Sequence, residues 1–242
     1  MNEEKRVPMP YRGNYTESRQ RYLATYDTAE AAKYDAWITA LTKADHDACL
    51  NDIQRHFTFS PGMTILDAGA GTGALCLSLV ALPGMRITAL EPCPPMQERL
   101  ASKPELSSVT TVEGFCDHPD DHSHFAPATF DVVASRQLSN CLFDPLAAFR
   151  NWHYWLRPSG VVIVMDGLFN REDWSGRWKG VVDTLPLSAC RTMATLPYML
   201  EQAGFRIDHV GLMDATNALP STRTKRYMVV ATKAMDVEPD HC

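Results

Sequence analysis

Apolar positions along this chain follow two periods, and the change comes near residue 60. Before it they recur at helical spacing. Tyr15, Tyr22 and Tyr26 fall on one helical face, and Cys49, Ile53 and Phe57 on another. Helices are predicted over 29–42 and 45–57, and Pro61-Gly62 marks the way into a different pattern. Beyond it short apolar runs alternate with helical ones. Residues 64–68, 86–91, 109–113, 130–135 and 160–166 read as strands; 74–80, 94–103 and 144–156 read as helices. A further helix is predicted over 196–203, with Gly204 as its C-terminal cap, before closing strands at 205–212 and 227–233. Such alternation predicts an α/β fold, a parallel sheet with helices on both faces, under an N-terminal helical cap.

The run that opens the second region carries the most chemistry. Residues 65–80 read ILDAGAGTGALCLSLV: a strand ends in Asp67, three glycines alternate at Gly69, Gly71 and Gly73, and a helical run follows. Glycines there let backbone N–H groups approach a ligand at a helix N-terminus. Glu91 closes the next apolar run, where a carboxylate takes both hydroxyls of a ribose. Together they imply an adenosine-containing cofactor across the ends of two parallel strands. Gly69-x-Gly71-x-x-Ala74 also satisfies a loose dinucleotide fingerprint, so a nicotinamide-dependent oxidoreductase is an alternative. Asp67 disfavours it. A carboxylate there repels a pyrophosphate and suits a cofactor carrying sulfonium and ammonium charges. The sequence has no Tyr-x-x-x-Lys pair for hydride chemistry.

These residues, with FDVVASRQ at 130–137 and LRPSGVVIVMDG at 156–167, resemble the class I S-adenosylmethionine-dependent methyltransferases. The resemblance implies a Rossmann-like, doubly wound, seven-stranded sheet, mostly parallel, whose last strand runs antiparallel. It implies S-adenosyl-L-methionine as cofactor. The implied cofactor site is Tyr15, Asp67, Gly69, Gly71, Thr72, Gly73, Glu91, Pro92, Phe115, Cys116, Ser135 and Arg136. The family often shows a Gly-Asp pair beyond the third strand, beside the adenine. This chain departs from it with Gly114-Phe115-Cys116-Asp117, where Phe115 would wall the ring and Asp117 would reach its exocyclic amine. The expected organisation is a cap over 1–57, a cofactor-binding core over 58–235, and a mobile tail over 236–242; residues 1–13 are also expected to be mobile.

Composition narrows the partners. Hydrophobic residues make up 45% and charged residues 21% of the 242, enough for one domain with a full core. The net charge of −6 and the absence of a long basic stripe argue against nucleic acid. The basic cluster at Arg223–Arg226 is too short to track a phosphate backbone and reads as a solvated approach to the last strand. Seven cysteines without a C-x-x-C suggest neither a disulfide framework nor a zinc ribbon. With no secretory h-region and no bilayer-length apolar run, a cytoplasmic monomer or homodimer acting on a small molecule is expected.

Three segments are candidates for the acceptor pocket. The stretch from Ser135 to Ser139 ends the fourth strand, where Arg136 either holds a carboxylate of cofactor or substrate or braces the loop. The N-terminal tyrosines, Tyr22 and Tyr26 among them, either pack the cap or line a lid. Trp174 and Trp178 lie in a long insertion after the fifth strand, either a substrate lid or a dimer contact. The His- and Asp-rich stretch at 117–124 has no helix to fix ligand geometry and reads as a solvated loop, without metal. The combined expectation is methyl transfer to a small-molecule acceptor. N-methylation of an amine is favoured, because no base for a hydroxyl stands out. The alternatives are O-methylation of a hydroxylated metabolite and a catalytically silent cofactor-binding module.

Overall fold

A strand covered on both faces must be apolar on both, and the chain meets this by pairing large aliphatics in succession. In the computed structural model, which describes residues 15–174 and 176–234 apart from the side chains of Tyr15 and Arg177, these pairs split between two cores. Leu66, Val133 and Val162 join Phe149, Trp152, Trp155 and Leu200 on one face. Ile65, Val132 and Ile163 join Ile53, Leu75 and Leu79 on the other. The segments 1–13 and 236–242, expected to be mobile, lie outside the described residues.

The strands are β1 (Thr64–Ala68), β2 (Arg86–Glu91), β3 (Thr110–Glu113), β4 (Phe130–Arg136), β5 (Leu156–Gly167), β6 (Phe205–Leu212) and β7 (Arg226–Lys233). They form one sheet in the order β3-β2-β1-β4-β5-β7-β6. β7 runs antiparallel to both β5 and β6, and the remaining neighbours pair in parallel. Chain order therefore reverses between β1 and β4, which opens a crevice above their C-terminal ends.

Helices α1 (Tyr15–Thr25), α2 (Thr28–Thr39) and α3 (Lys43–Gln54) precede the sheet. α3 starts two residues earlier than its apolar spacing suggests, because Thr42 and Asp45 form a capping box. α4 (Ala74–Leu79), α5 (Pro94–Ala101), α6 (Pro145–Trp155) and α7 (Thr195–Gln202) flank the strands, and α8 (Asp214–Asn217) follows β6. Ala31 of α2 packs with Cys93 and Met96 at the start of α5, which holds the cap beside the strand ends.

β5 is longer than expected because Leu156 already pairs with Phe130, ahead of a register shift. The stretch at 117–124 is not a solvated loop. It forms a 3-10 turn over Pro119–His124, with Asp117 and Asp121 buried against Arg19 of α1. That ion pairing could not be read from the stretch itself. The insertion after β5 is a series of 3-10 turns rather than a helix. Among the described residues no helix is long and apolar enough to cross a membrane.

Candidate active site

The glycine turn needs backbone that side chains resist. Gly69 and Gly71 have φ of +67° and +57°, and a Cβ on Gly69 would lie 2.5 Å from Leu138 Cδ1. The Gly71 N–H donates to Glu91 Oε2 at 2.9 Å, and the Cys93 N–H to Oε1 at 3.0 Å, which ties the turn to the end of β2. Beside it opens a cavity of about 660 Å³, the space at its open mouth included. Of the residues expected at the cofactor, Gly69, Gly71, Glu91, Pro92, Phe115, Cys116 and Arg136 line it, together with Tyr22 and Tyr26 from the cap.

Four others do not line it. Asp67 is buried beneath the turn, where the Cys76 thiol donates to its Oδ2 at 3.1 Å. Burial raises both Asp67 and Glu91 to about 7. Thr72 and Ser135 are fully buried. Gly73 turns toward the packing of the next helix, since a Cβ there would meet Leu106 Cδ1 at 2.5 Å. The side chain of Tyr15 lies outside the described residues.

These residues fit the cofactor expected from the sequence. Each oxygen of Glu91 accepts one backbone N–H and keeps a further lone pair for a ribose hydroxyl. Asp117 lines the cavity as well, and its Oδ1 accepts from Arg19 at 2.9 Å and its Oδ2 from the Phe143 N–H at 2.7 Å. The Arg19 guanidinium also sits 4.4 Å above the Phe115 ring, clamping α1 across this end of the cavity.

A second cavity of about 940 Å³ shares Tyr26, Tyr34, Gln137 and Cys141 with the first. Trp37, Phe169, Trp174 and Trp178 add aromatic walls, and Glu30 and Asp173 add carboxylates. The cap tyrosines, the segment after β4 and the tryptophan insertion, proposed on sequence as one pocket, are thus brought together. Tyr26 and Trp178 meet at 4.7 Å between ring centroids, and Trp174 and Trp178 at 5.9 Å. Tyr22 is mostly core, edge-on to Phe143 and Phe115. Burial pushes the Tyr34 hydroxyl and the Cys141 thiol each up to about 12, and the Tyr22 and Tyr26 hydroxyls well above their usual range. All stay protonated at neutral pH.

Sequence reasoning missed Trp37 as a wall residue, and it took in Tyr34, Gln137 and Cys141 only as members of the tyrosine group and of the segment after β4. The density of tyrosines before residue 35 was a signal for Tyr34. Gln137 has φ +57° without being glycine, a strained geometry that no side-chain pattern announces.

A sequence profile of the methyltransferase-domain family matches residues 41–210. A ubiquinone biosynthesis O-methyltransferase of Xanthomonas campestris pv. campestris is 29% identical over 104 residues, 43% of each chain. The match thus spans less than half the length of that relative. Among solved structures, an S-adenosylmethionine-dependent methyltransferase from Aquifex aeolicus superposes with a TM-score of 0.63 at 18% identity, over 86% of this chain and 100% of that one. A Haemonchus contortus phosphoethanolamine N-methyltransferase 2 in complex with S-adenosyl-L-methionine superposes with a TM-score of 0.65 at 16% identity, over 90% and 60%. At such identities the superpositions speak for the fold.

Proposed function

Because the chain belongs to the methyltransferase-domain family, within the class I S-adenosylmethionine-dependent methyltransferases, we propose that it methylates a nitrogen of a small-molecule acceptor seated in the aromatic cavity. S-adenosylmethionine supplies a methyl group already activated by its sulfonium charge. The protein's own work is then to align the nucleophile and keep water out. Glu91 takes the ribose hydroxyls, Phe115 and Pro92 wall the adenine, and Arg136 takes the methionine carboxylate. The cap over 1–57 serves as a lid on the 58–235 core, with Tyr26, Trp174 and Trp178 orienting the acceptor.

The observation that carries the preference for nitrogen is the charge and basicity of the second cavity. Glu30 is paired with Lys33 on the same wall at 3.3 Å, which leaves Asp173 and the ring faces to suit an ammonium on arrival. A hydroxyl acceptor needs a base, and neither cavity wall includes a histidine while every phenol there is held neutral. A neutral amine needs none at the moment of transfer. The relative named as an O-methyltransferase keeps a hydroxylated acceptor as the second reading. We take the site of action as the cytoplasm, with no nucleic-acid partner.

The test is a panel of small amines, amino acids, guanidines and phenols, read by release of S-adenosylhomocysteine. Release with a nitrogen compound is expected. Turnover of phenols alone would move the reading to oxygen. Calorimetric binding of the cofactor without turnover of anything would favour the silent module, and binding of a nicotinamide in its place the oxidoreductase.

A further inference from the structure

A third cavity, of about 510 Å³, opens on the far side of Gln137, bounded by α2, α3, the end of β5 and the segment between β6 and β7. Arg136 lines both it and the cofactor cavity, whereas Arg226 lines only the third. The sequence placed Arg226 in a solvated approach to β7. Pairing with Gly167 instead draws it inward, and its guanidinium lies 5.4 Å from the centre of the Phe169 ring, a wall of the aromatic cavity. Its Nη1 is buried and meets no acceptor among the described residues, and the same holds for the Thr216 hydroxyl on the same wall.

No carboxylate is hydrogen-bonded to either guanidinium among the described residues. Neither Arg136 nor Arg226 is in an ion pair among the described residues. Asp166 is near Arg226, but its oxygens accept from the Ser139 hydroxyl and from the N–H groups of Asn140 and Gly167. Asp45 is on the wall, and its oxygens are taken by Thr42 and by the Ser221 hydroxyl. The lining therefore carries two guanidiniums and the Asp45 carboxylate, and Asp166 behind it gives Arg226 its field but no hydrogen bond. A buried, unused guanidinium N–H is costly unless an acceptor completes it.

We propose that this third cavity is a carboxylate subsite for the acceptor, so that the substrate is an amino-carboxylic acid whose carboxylate meets Arg226 while its nitrogen lies beyond Gln137 in the aromatic cavity. The inference rests on the amine reading above. With Asp45 on the wall and Asp166 behind it, a monoanionic carboxylate suits the site better than a dianionic phosphate. The cofactor's own carboxylate is served by Arg136, which the first cavity already contains. Arg226 stands on the acceptor side of it, against Phe169.

The probe is benzoate, titrated calorimetrically into the full chain saturated with S-adenosylhomocysteine, with benzamide as its neutral counterpart. Benzoate is expected to bind and benzamide not. Arg226→Gln should weaken benzoate by about tenfold or more, on the scale of a charged hydrogen bond, and leave S-adenosylhomocysteine affinity within about twofold. Thr216→Val, which removes no charge, should weaken benzoate by a few-fold and carries the test if Arg226→Gln fails to fold. Equal binding of the two probes, or none of benzoate, overturns the proposal. So does a loss of S-adenosylhomocysteine affinity in Arg226→Gln with 5′-methylthioadenosine affinity intact, which would assign the subsite to the cofactor. In the acceptor panel, preference for decarboxylated amines over the parent amino acids sinks the subsite and spares the amine reading. Benzoate binding as expected with no nitrogen compound methylated sinks the amine reading and spares the subsite.

Discussion

The two halves of the crevice differ in how they hold their charges. On the β1–β2 side Asp67 and Glu91 are buried and held by a thiol and by backbone N–H groups. On the β5–β7 side half-buried guanidiniums stand at the cavity wall near the buried Asp166, with aromatic rings packed around them. The first half is built from regular strand ends and a tight turn. The second is built from a cap, 3-10 turns and a strained Gln137. A rigid half suits a ligand common to many enzymes, and an irregular half suits one that is specific to this chain.

Glu91→Ala tests the rigid half most severely. Cofactor affinity should fall by roughly 1.5 to 3 kcal/mol, the scale of hydrogen bonds to a charged group, measured by calorimetry with S-adenosylhomocysteine. The Gly71 and Cys93 N–H groups lose their acceptor too, so a lower melting temperature is expected alongside. Full affinity in a folded variant would remove Glu91 from the cofactor. Gly71→Val should do as much harm through the backbone, since φ there is +57° and valine resists it.

Arg19→Met probes the seam between cap and core. Asp117 and Asp121 are buried, and removing their shared cation leaves two carboxylates close together. Arg19 is one-fifth exposed, so the loss should be about 2 kcal/mol of stability rather than the larger value of a fully buried pair. Denaturant unfolding measures it. An unchanged midpoint would mean that α1 is not anchored there.

How much of this was legible follows from how local each feature is. The glycine turn and Glu91 lie within one strand-turn-helix-strand unit, and chain order alone places them. Strand register between β5 and β7 fixes Arg226, and Arg19 meets partners roughly a hundred residues away. Nothing in RTKR or in a His/Asp-rich stretch announces such contacts. The insertion's two tryptophans were recognisable as unusual, but the meeting of Trp178 with Tyr26 depends on a cap that packs from the opposite end of the chain.

A pH series tests the two carboxylates of the rigid half. Burial holds Asp67 and Glu91 at about 7, above their unfolded values near 3.8 and 4.5. Between those limits the folded state keeps protons that the unfolded state has released. Their contribution to stability therefore falls as pH rises through that window and is flat above it. Melting temperatures from pH 5 to 8 without cofactor should show it, and Asp67→Asn should lessen the slope. An identical slope in that variant would mean Asp67 is ionised throughout. Affinity for the cationic cofactor should move the other way, rising toward pH 8 as the carboxylates ionise.

The smallest effect is expected from Tyr26→Phe, and it decides most about the irregular half. Tyr26 lines both the cofactor and the aromatic cavities. The ring stacks edge-on to Trp178 and Tyr22, and Phe keeps those contacts. Only the hydroxyl is lost. If that hydroxyl orients the acceptor, turnover should fall by up to about tenfold while S-adenosylhomocysteine affinity stays the same, the signature of a contact used in the transition state alone. Trp174→Ala is the companion, since the Trp174 indole N–H donates to the Ser188 carbonyl at 2.7 Å and its loss loosens the insertion as well. It should raise KM for the acceptor and lower the melting temperature together. Full turnover in both variants, or a fall in step with cofactor affinity, would take the acceptor out of the aromatic cavity and leave its rings as the packing between cap and sheet.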